Sequence, residues 1–224
     1  MRNKSLSLVL AVALCLVPAA FADVVWGTVS STPPTPPPGE EAVLFTPGTT
    51  GTLLAGSVYV INGHTQSSLT TVDVTTDNSD SGGIDHLYAS TSTELNANPP
   101  GDADTSIDQL TFTIPGYTFN DIYFDMRSVF SGTDSVFFTV VTNDGTFTHT
   151  YDGLTNNGAD NWIFITTANG EVMSSVSLDD TRFLHLDDLH VSGLTPNTVP
   201  EPASLLLVGG GLAWMARRIR NRAR

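Results

Sequence analysis

The chain has 224 residues and a formal net charge of −14. Seven of its nine basic residues lie in the two terminal segments, which leaves residues 23–198 with Arg127 and Arg182 against 22 acidic residues, a net charge of −20. Such a surface repels phosphate backbones, which argues against nucleic acid as a partner. It also repels anionic membranes and polysaccharides unless a divalent cation bridges them, and it equally serves plain solubility.

Residues 1–22 read as a secretory signal peptide. Arg2 and Lys4 give a positive start, 6–17 is an apolar run, and Ala20-Phe21-Ala22 is an A-x-A cleavage site, so the mature chain is expected to begin at Asp23. The secretion translocon and signal peptidase are the partners this implies. The single cysteine, Cys15, sits inside the apolar run behind the large Leu14, which does not suit lipidation. Removal of the signal leaves no thiol for disulfides or nucleophilic chemistry. Residues 23–40 read as a Pro-rich linker. Pro33, Pro34, Pro36, Pro37 and Pro38 favour extended polyproline II, which cannot join a sheet, so a spacer is expected.

Residues 41–193 read as one all-β domain, an antiparallel jelly-roll-like β-sandwich of about ten strands. A signal helix would precede it and a short hydrophobic C-terminal helix would follow. Short runs with period two are separated by turn residues, and no 3.6 period appears. Strands are expected at 42–45, 52–61, 69–75, 110–114, 117–121, 121–127, 135–142, 146–151, 162–167, 172–178 and 183–191. In 121–127, Ile122, Phe124 and Met126 should face in, and Asp121, Tyr123, Asp125 and Arg127 out. The run 135–142 is apolar on both faces and should be central. Asn143-Asp144-Gly145 and Asn169-Gly170 should each turn a hairpin, and Pro115-Gly116 another turn. Trp162, Phe164, Phe124 and Phe138 are core candidates.

Leu184 and Leu186 alternate on one phase and Leu189 and Val191 on the other, so the register slips at Asp187-Asp188, the mark of a β-bulge. These two carboxylates are candidate calcium ligands, with other loops needed to complete six to eight oxygens; the alternative is a pair of acids that blocks edge pairing. The loop 77–85 places Asp77, Asp80 and Asp85 around Gly82 in an imitation of an EF-hand loop, but Tyr88 stands where the closing glutamate belongs. His185 and His190 would fall on opposite faces of an unbroken strand and on one face if the bulge is real. No zinc or hydrolase motif is present, and residues 23–198 hold no lysine. Glu94 and Glu171 both adjoin turns and read as solvated. No catalytic constellation stands out.

Residues 194–198 read as a second short linker. From 199 the chain reads VPEPASLLLVGGGLAWMARRIRNRAR: a Pro200-Glu201-Pro202 triplet, the uncharged run 203–216, then five arginines beginning Arg217, Arg218 and Arg220. Arginines beside an apolar run stay cytoplasmic, so the body would lie outside. The run is 14 residues, about 21 Å as a helix, short of the about 20 residues a lasting span needs. This order resembles the PEP-CTERM sorting signal of bacterial surface proteins, and the resemblance implies an exosortase-type processing enzyme that recognises Pro-Glu-Pro. The body is similar to ectodomains found ahead of such tails at Asn161-Trp162-Ile163-Phe164, Gly170-Glu171, Ser175-Val176-Ser177 and 186–193; that group has no settled activity.

The expected function is an exported, non-enzymatic surface or matrix protein. It would be held in the inner membrane as a precursor and sorted through its tail, with extracellular polysaccharide or calcium as candidate ligands. A glycan-active enzyme on a jelly-roll scaffold is the alternative, requiring two carboxylates across a concave face. Ice binding ranks last, because regular T-x-T ranks are missing.

Overall fold

The computed structural model describes residues 23–54, 58–76, 87–97, 107–128, 133–155 and 160–197. The expected signal peptide, the EF-hand-like loop with Asp77, Asp80 and Asp85, and the tail with Pro200, Glu201, Pro202, Arg217, Arg218 and Arg220 lie outside the described residues. In chain order the strands are β1 (Asp23–Trp26), β2 (Glu41–Leu44), β3 (Thr52–Leu53), β4 (Tyr59–Thr65), β5 (Thr71–Thr76), β6 (Leu87–Ala89), β7 (Leu95–Ala97), β8 (Ile107–Thr113), β9 (Tyr117–Thr118), β10 (Asp121–Ser128), β11 (Thr133–Thr142), β12 (Thr146–Thr155), β13 (Trp162–Ala168), β14 (Met173–Ser192) and β15 (Thr195–Pro196). The fold is all-β and antiparallel, a nearly closed, barrel-like sheet. Among the described residues, 13 strands form one sheet, and β9 with β15 makes a separate ribbon.

The barrel is organised by β14. Its 20 residues would run about 65 Å if straight, yet its two ends meet. Phe119 exchanges both backbone hydrogen bonds with Met173, at 3.0 and 2.7 Å, and Asn120 N–H donates to the Ser192 carbonyl at 2.9 Å. The strand therefore doubles back. The corner is marked by a register slip against β8 between Asp179 and Phe183. Its first half lies between β11 and β8; its second half lies between β10 on one edge and β7 and β2 on the other. The path from β2 through β4, β5 and β8 returns to β14 and closes that side. The expected sandwich of two sheets is thus one sheet folded over a bent strand, and the strands expected at 172–178 and 183–191 are its two halves. The Asn169-Gly170 turn is present, with φ of 57° and 85°, but it makes no hairpin. β10 separates β13 from β14, so the turn carries the chain from one layer to the other. The Asn143–Gly145 turn does join a hairpin, β11 to β12.

Two wings leave β14. One runs β10–β13–β1 and the other β11–β12. The core between them is where alternation puts apolar side chains. Ile122, Phe124 and Met126 are fully buried, as are Val136, Phe138 and Val140. Phe124 stands 5.4 Å from Phe112 and 6.3 Å from Phe138, ring centre to ring centre, tying β8, β10 and β11 together. β11 is central, as its composition suggests, although Phe137 on its outer phase is exposed. Trp162 and Phe164 are not in this core; they point to the opposite face of β13, across from Asp125 and Tyr123.

The stretch 23–40 is more than a spacer. β1 pairs with β13 from Asp23 opposite Ala168 to Trp26 opposite Ile165. Ser30 bridges Trp162, and Glu40 ends the Pro-rich run against His190. The second linker likewise holds β15, which pairs Thr195 with Thr118, and Asn197 N–H donates to Gly116 at 2.8 Å. Asp23 and Asn197 therefore both sit at the pole that gathers the Gly116 turn, the Asn169-Gly170 turn and both ends of β14. Gly193 makes this pole possible. Its φ is +66°, and a Cβ there would fall 2.6–2.8 Å from the Asn120 side chain. Backbone strain and close approach add, so Gly193→Ala should cost about 2 kcal/mol, measured by urea unfolding against the parent.

Candidate functional site

Two neighbouring features carry polar chemistry on the wing β10–β13–β1. The first is the outer face of β10 and β14. Period two assigns Tyr123 and Asp125 to solvent, but they are only 3% and 4% exposed. The reason is a second layer of side chains on that face. Tyr123 stacks flat on His190, with centroids 4.6 Å apart and planes at 4°. Trp162 and Phe164 flank it at 6.2 Å each. Glu40 reaches in to pair with the His190 Nδ1 and to accept from the Tyr123 hydroxyl.

The bulge at Asp187-Asp188 is present. Tyr123 pairs with His190 but Asp125 pairs with Asp187, so β14 carries one extra residue there. Asp188 takes the positive φ of 49° that absorbs it. Its N–H donates to the Thr93 carbonyl at 3.2 Å and to the Asp187 carboxylate at 2.8 Å. The bulge brings His185 and His190 onto one face, opposite Arg127 and Tyr123 respectively. Glu94 is not free in solvent; its carboxylate lies 3.5 Å from His185 Nδ1. Burial first, then the Arg127 guanidinium, hold the His185 imidazolium back and lower its pKa. Burial and then the Asp187 charge raise that of Asp188.

Asp125 is the most constrained acid. It accepts from the Asn161 N–H at 2.6 Å, and Arg127 Nε stands 3.7 Å away. Asn161 Nδ2 donates in turn to the Met126 carbonyl at 3.0 Å, and Arg127 donates to Asp160 at 3.0 Å. Burial outweighs these partners and pushes the Asp125 carboxyl up to about 6. The arrangement pins the Asp160-Asn161 approach to β13 onto β10. Glu171, expected in solvent, is 1% exposed and accepts from the Thr142 hydroxyl, which also braces the Asn143–Gly145 turn. Among the described residues no three His, Cys, Asp or Glu side chains converge to hold a metal ion. Asp187 and Asp188 take part in the bulge without gathering such a set.

The second feature is the seam between the wings. The outer edges of β1 and β12 pair with no other strand among the described residues, and side chains bridge the gap instead. Trp26 stacks on His149 across it, with centroids 4.9 Å apart and planes at 22°. Tyr151 meets both rings edge-on, at 6.3 and 4.7 Å. The Tyr151 hydroxyl donates to the Phe164 carbonyl at 3.3 Å, the same oxygen that Gly27 N–H uses at 2.8 Å. Burial raises the Tyr151 pKa, so the hydroxyl stays protonated and donating. Above these rings lies an open groove of about 530 Å³, walled by 26–29 on one side and 149–153 on the other, with Asn161 at one end. The groove is legible in the sequence only in part: Phe147, His149 and Tyr151 share one phase of β12, but Trp26 lies in the supposed spacer.

Residues 198–221 match the PEP-CTERM protein-sorting motif. No curated protein and no solved structure matches the chain. In sequence the motif follows directly on Asn197, the last described residue, which lies at the pole described above. It implies an exported, surface-sorted protein processed by an exosortase. Among the described residues no helix is long and apolar enough to cross a membrane.

Proposed function

We propose that the chain is a non-enzymatic surface or matrix protein, delivered by the general secretory route and displayed by its barrel after cleavage near Pro-Glu-Pro. The sorting motif carries this reading. The position of β15 supports it: the tail leaves at one pole, while the groove lies along the flank toward Trp162 and Asn161, at the other end of β13 from Ala168. Attachment at that pole would leave the groove free. A glycan-active enzyme fits less well. Among the described residues the groove is lined by a single carboxylate, Asp152, and the buried Asp125 is spent on the Asn161 N–H.

The test is the intact mass of the native protein from fractionated cells. The expected product begins at Asp23 and ends near Pro-Glu-Pro, outside the inner membrane. Glu201→Ala should leave the precursor, with its five tail arginines, in the inner membrane. A wild-type product that keeps those arginines would reduce the tail to a plain anchor. Glycan turnover by the purified protein, lost in an aspartate variant, would overturn the non-enzymatic assignment.

A further inference from the structure

We propose that the seam groove binds a neutral saccharide chain. The proposal deepens the surface-protein reading by giving it a ligand class and a site. Saccharides are recognised by C–H groups packed on aromatic side chains and by hydroxyls hydrogen-bonded to polar side chains. The groove offers both. Trp26 and His149, stacked on each other across the seam and braced edge-on by the buried Tyr151, are half-buried and line the groove with the ring surface they leave exposed. Thr28 and Asp152 are exposed on its two walls. Asp152 is held in place by the Ser135 hydroxyl, which donates to it at 2.7 Å, and a fixed carboxylate accepts well from sugar hydroxyls. The volume of about 530 Å³ suits two or three sugar rings.

Charge selects among saccharides. Among the described residues no lysine or arginine lines the groove, and Arg127, which reaches Asp160 next to Asn161, is held by Asp125 and Asp160. A polyanionic glycan would meet Asp152 and the negative field of the body without a counter-charge. The groove is also a poor slot for a peptide strand. A strand inserted between β1 and β12 needs about 9.5 Å between them, and the Trp26–His149 stack occupies that gap at contact distance.

The experiment is affinity gel electrophoresis of the full-length chain, purified in detergent, through gels containing dextran, laminarin, galactan or mannan, with alginate as the polyanion. At least one neutral polymer is expected to retard the chain, and alginate is not. Trp26→Ala should weaken that retardation at least tenfold, and Leu53→Ala, on exposed β3, should leave it unchanged. Because Trp26 also braces the seam, the exposed Asp152→Asn is the second variant and should weaken binding about fivefold without moving the melting temperature. Retardation by none of the neutral polymers, retardation by alginate alone, or binding indifferent to both variants would overturn the proposal. The mass measurement above can succeed while this one fails, so the two claims fall separately.

Discussion

Truncating Phe124 to alanine is expected to cost about 3–5 kcal/mol, a large share of the about 5–15 kcal/mol that keeps an ordinary domain folded. The magnitude follows from position rather than from size alone. Phe124 is fully buried and its ring touches Phe112 on β8 and Phe138 on β11, so one side chain joins all three regions of the folded sheet. The cavity would lie between two halves of β14 that are each hydrogen-bonded on both edges, which limits how far the walls can collapse. Urea unfolding of Phe124→Ala beside Val136→Ala checks this. Val136 is equally buried but sits in one wing only, so its loss should be smaller by more than its missing volume explains.

The second large effect is a pH dependence at Asp125. Its carboxyl titrates near 6 in the folded chain, against about 3.9 unfolded. The folded state therefore binds more protons between those values, and this residue makes stability fall as pH rises through the window from about 4 to 6. Two units correspond to about 3 kcal/mol. His185 works in the opposite direction: its lowered pKa removes stability as pH falls below about 6.5. Wild type alone would thus show a shallow, mixed profile. The difference between Asp125→Asn and wild type isolates the carboxyl, and the variant should gain about 3 kcal/mol relative to wild type between pH 4 and pH 7. A flat difference across that range would show that Arg127 and the Asn161 N–H offset the burial of Asp125 in full.

The alternation of Ile122, Phe124 and Met126 and the slip between Leu186 and Leu189 are legible in the sequence because each side chain reports only its own strand. The burial of Tyr123 and Asp125 is not. Period two says which face a residue takes, and says nothing of what another segment lays over that face; here it is Glu40 at the end of the Pro-rich run, with Trp162, Phe164 and His190. The doubled-back β14 is hidden for a related reason. Its halves read as two strands because the corner between Asp179 and Phe183 interrupts the pattern, and only the pairing of Phe119 with Met173 and of Asn120 with Ser192 reveals that the strand returns. The seam groove depends on a residue, Trp26, whose neighbours look like spacer. The sorting triplet needs no fold at all, since a processing enzyme reads it as sequence.

The attachment of the tail to β15 has a mechanical consequence. Tension arriving from the C-terminal side meets first the Asn197–Gly116 bond and then the two-residue ribbon of β15 on β9, and these give way in succession. Their release yields about 10 Å of slack. The next element, the second half of β14, is hydrogen-bonded along both edges. Under a pull along its own axis, the bonds to β10 must slide together rather than peel. A barrel built this way gives a little under a weak tug at its tail and then stiffens.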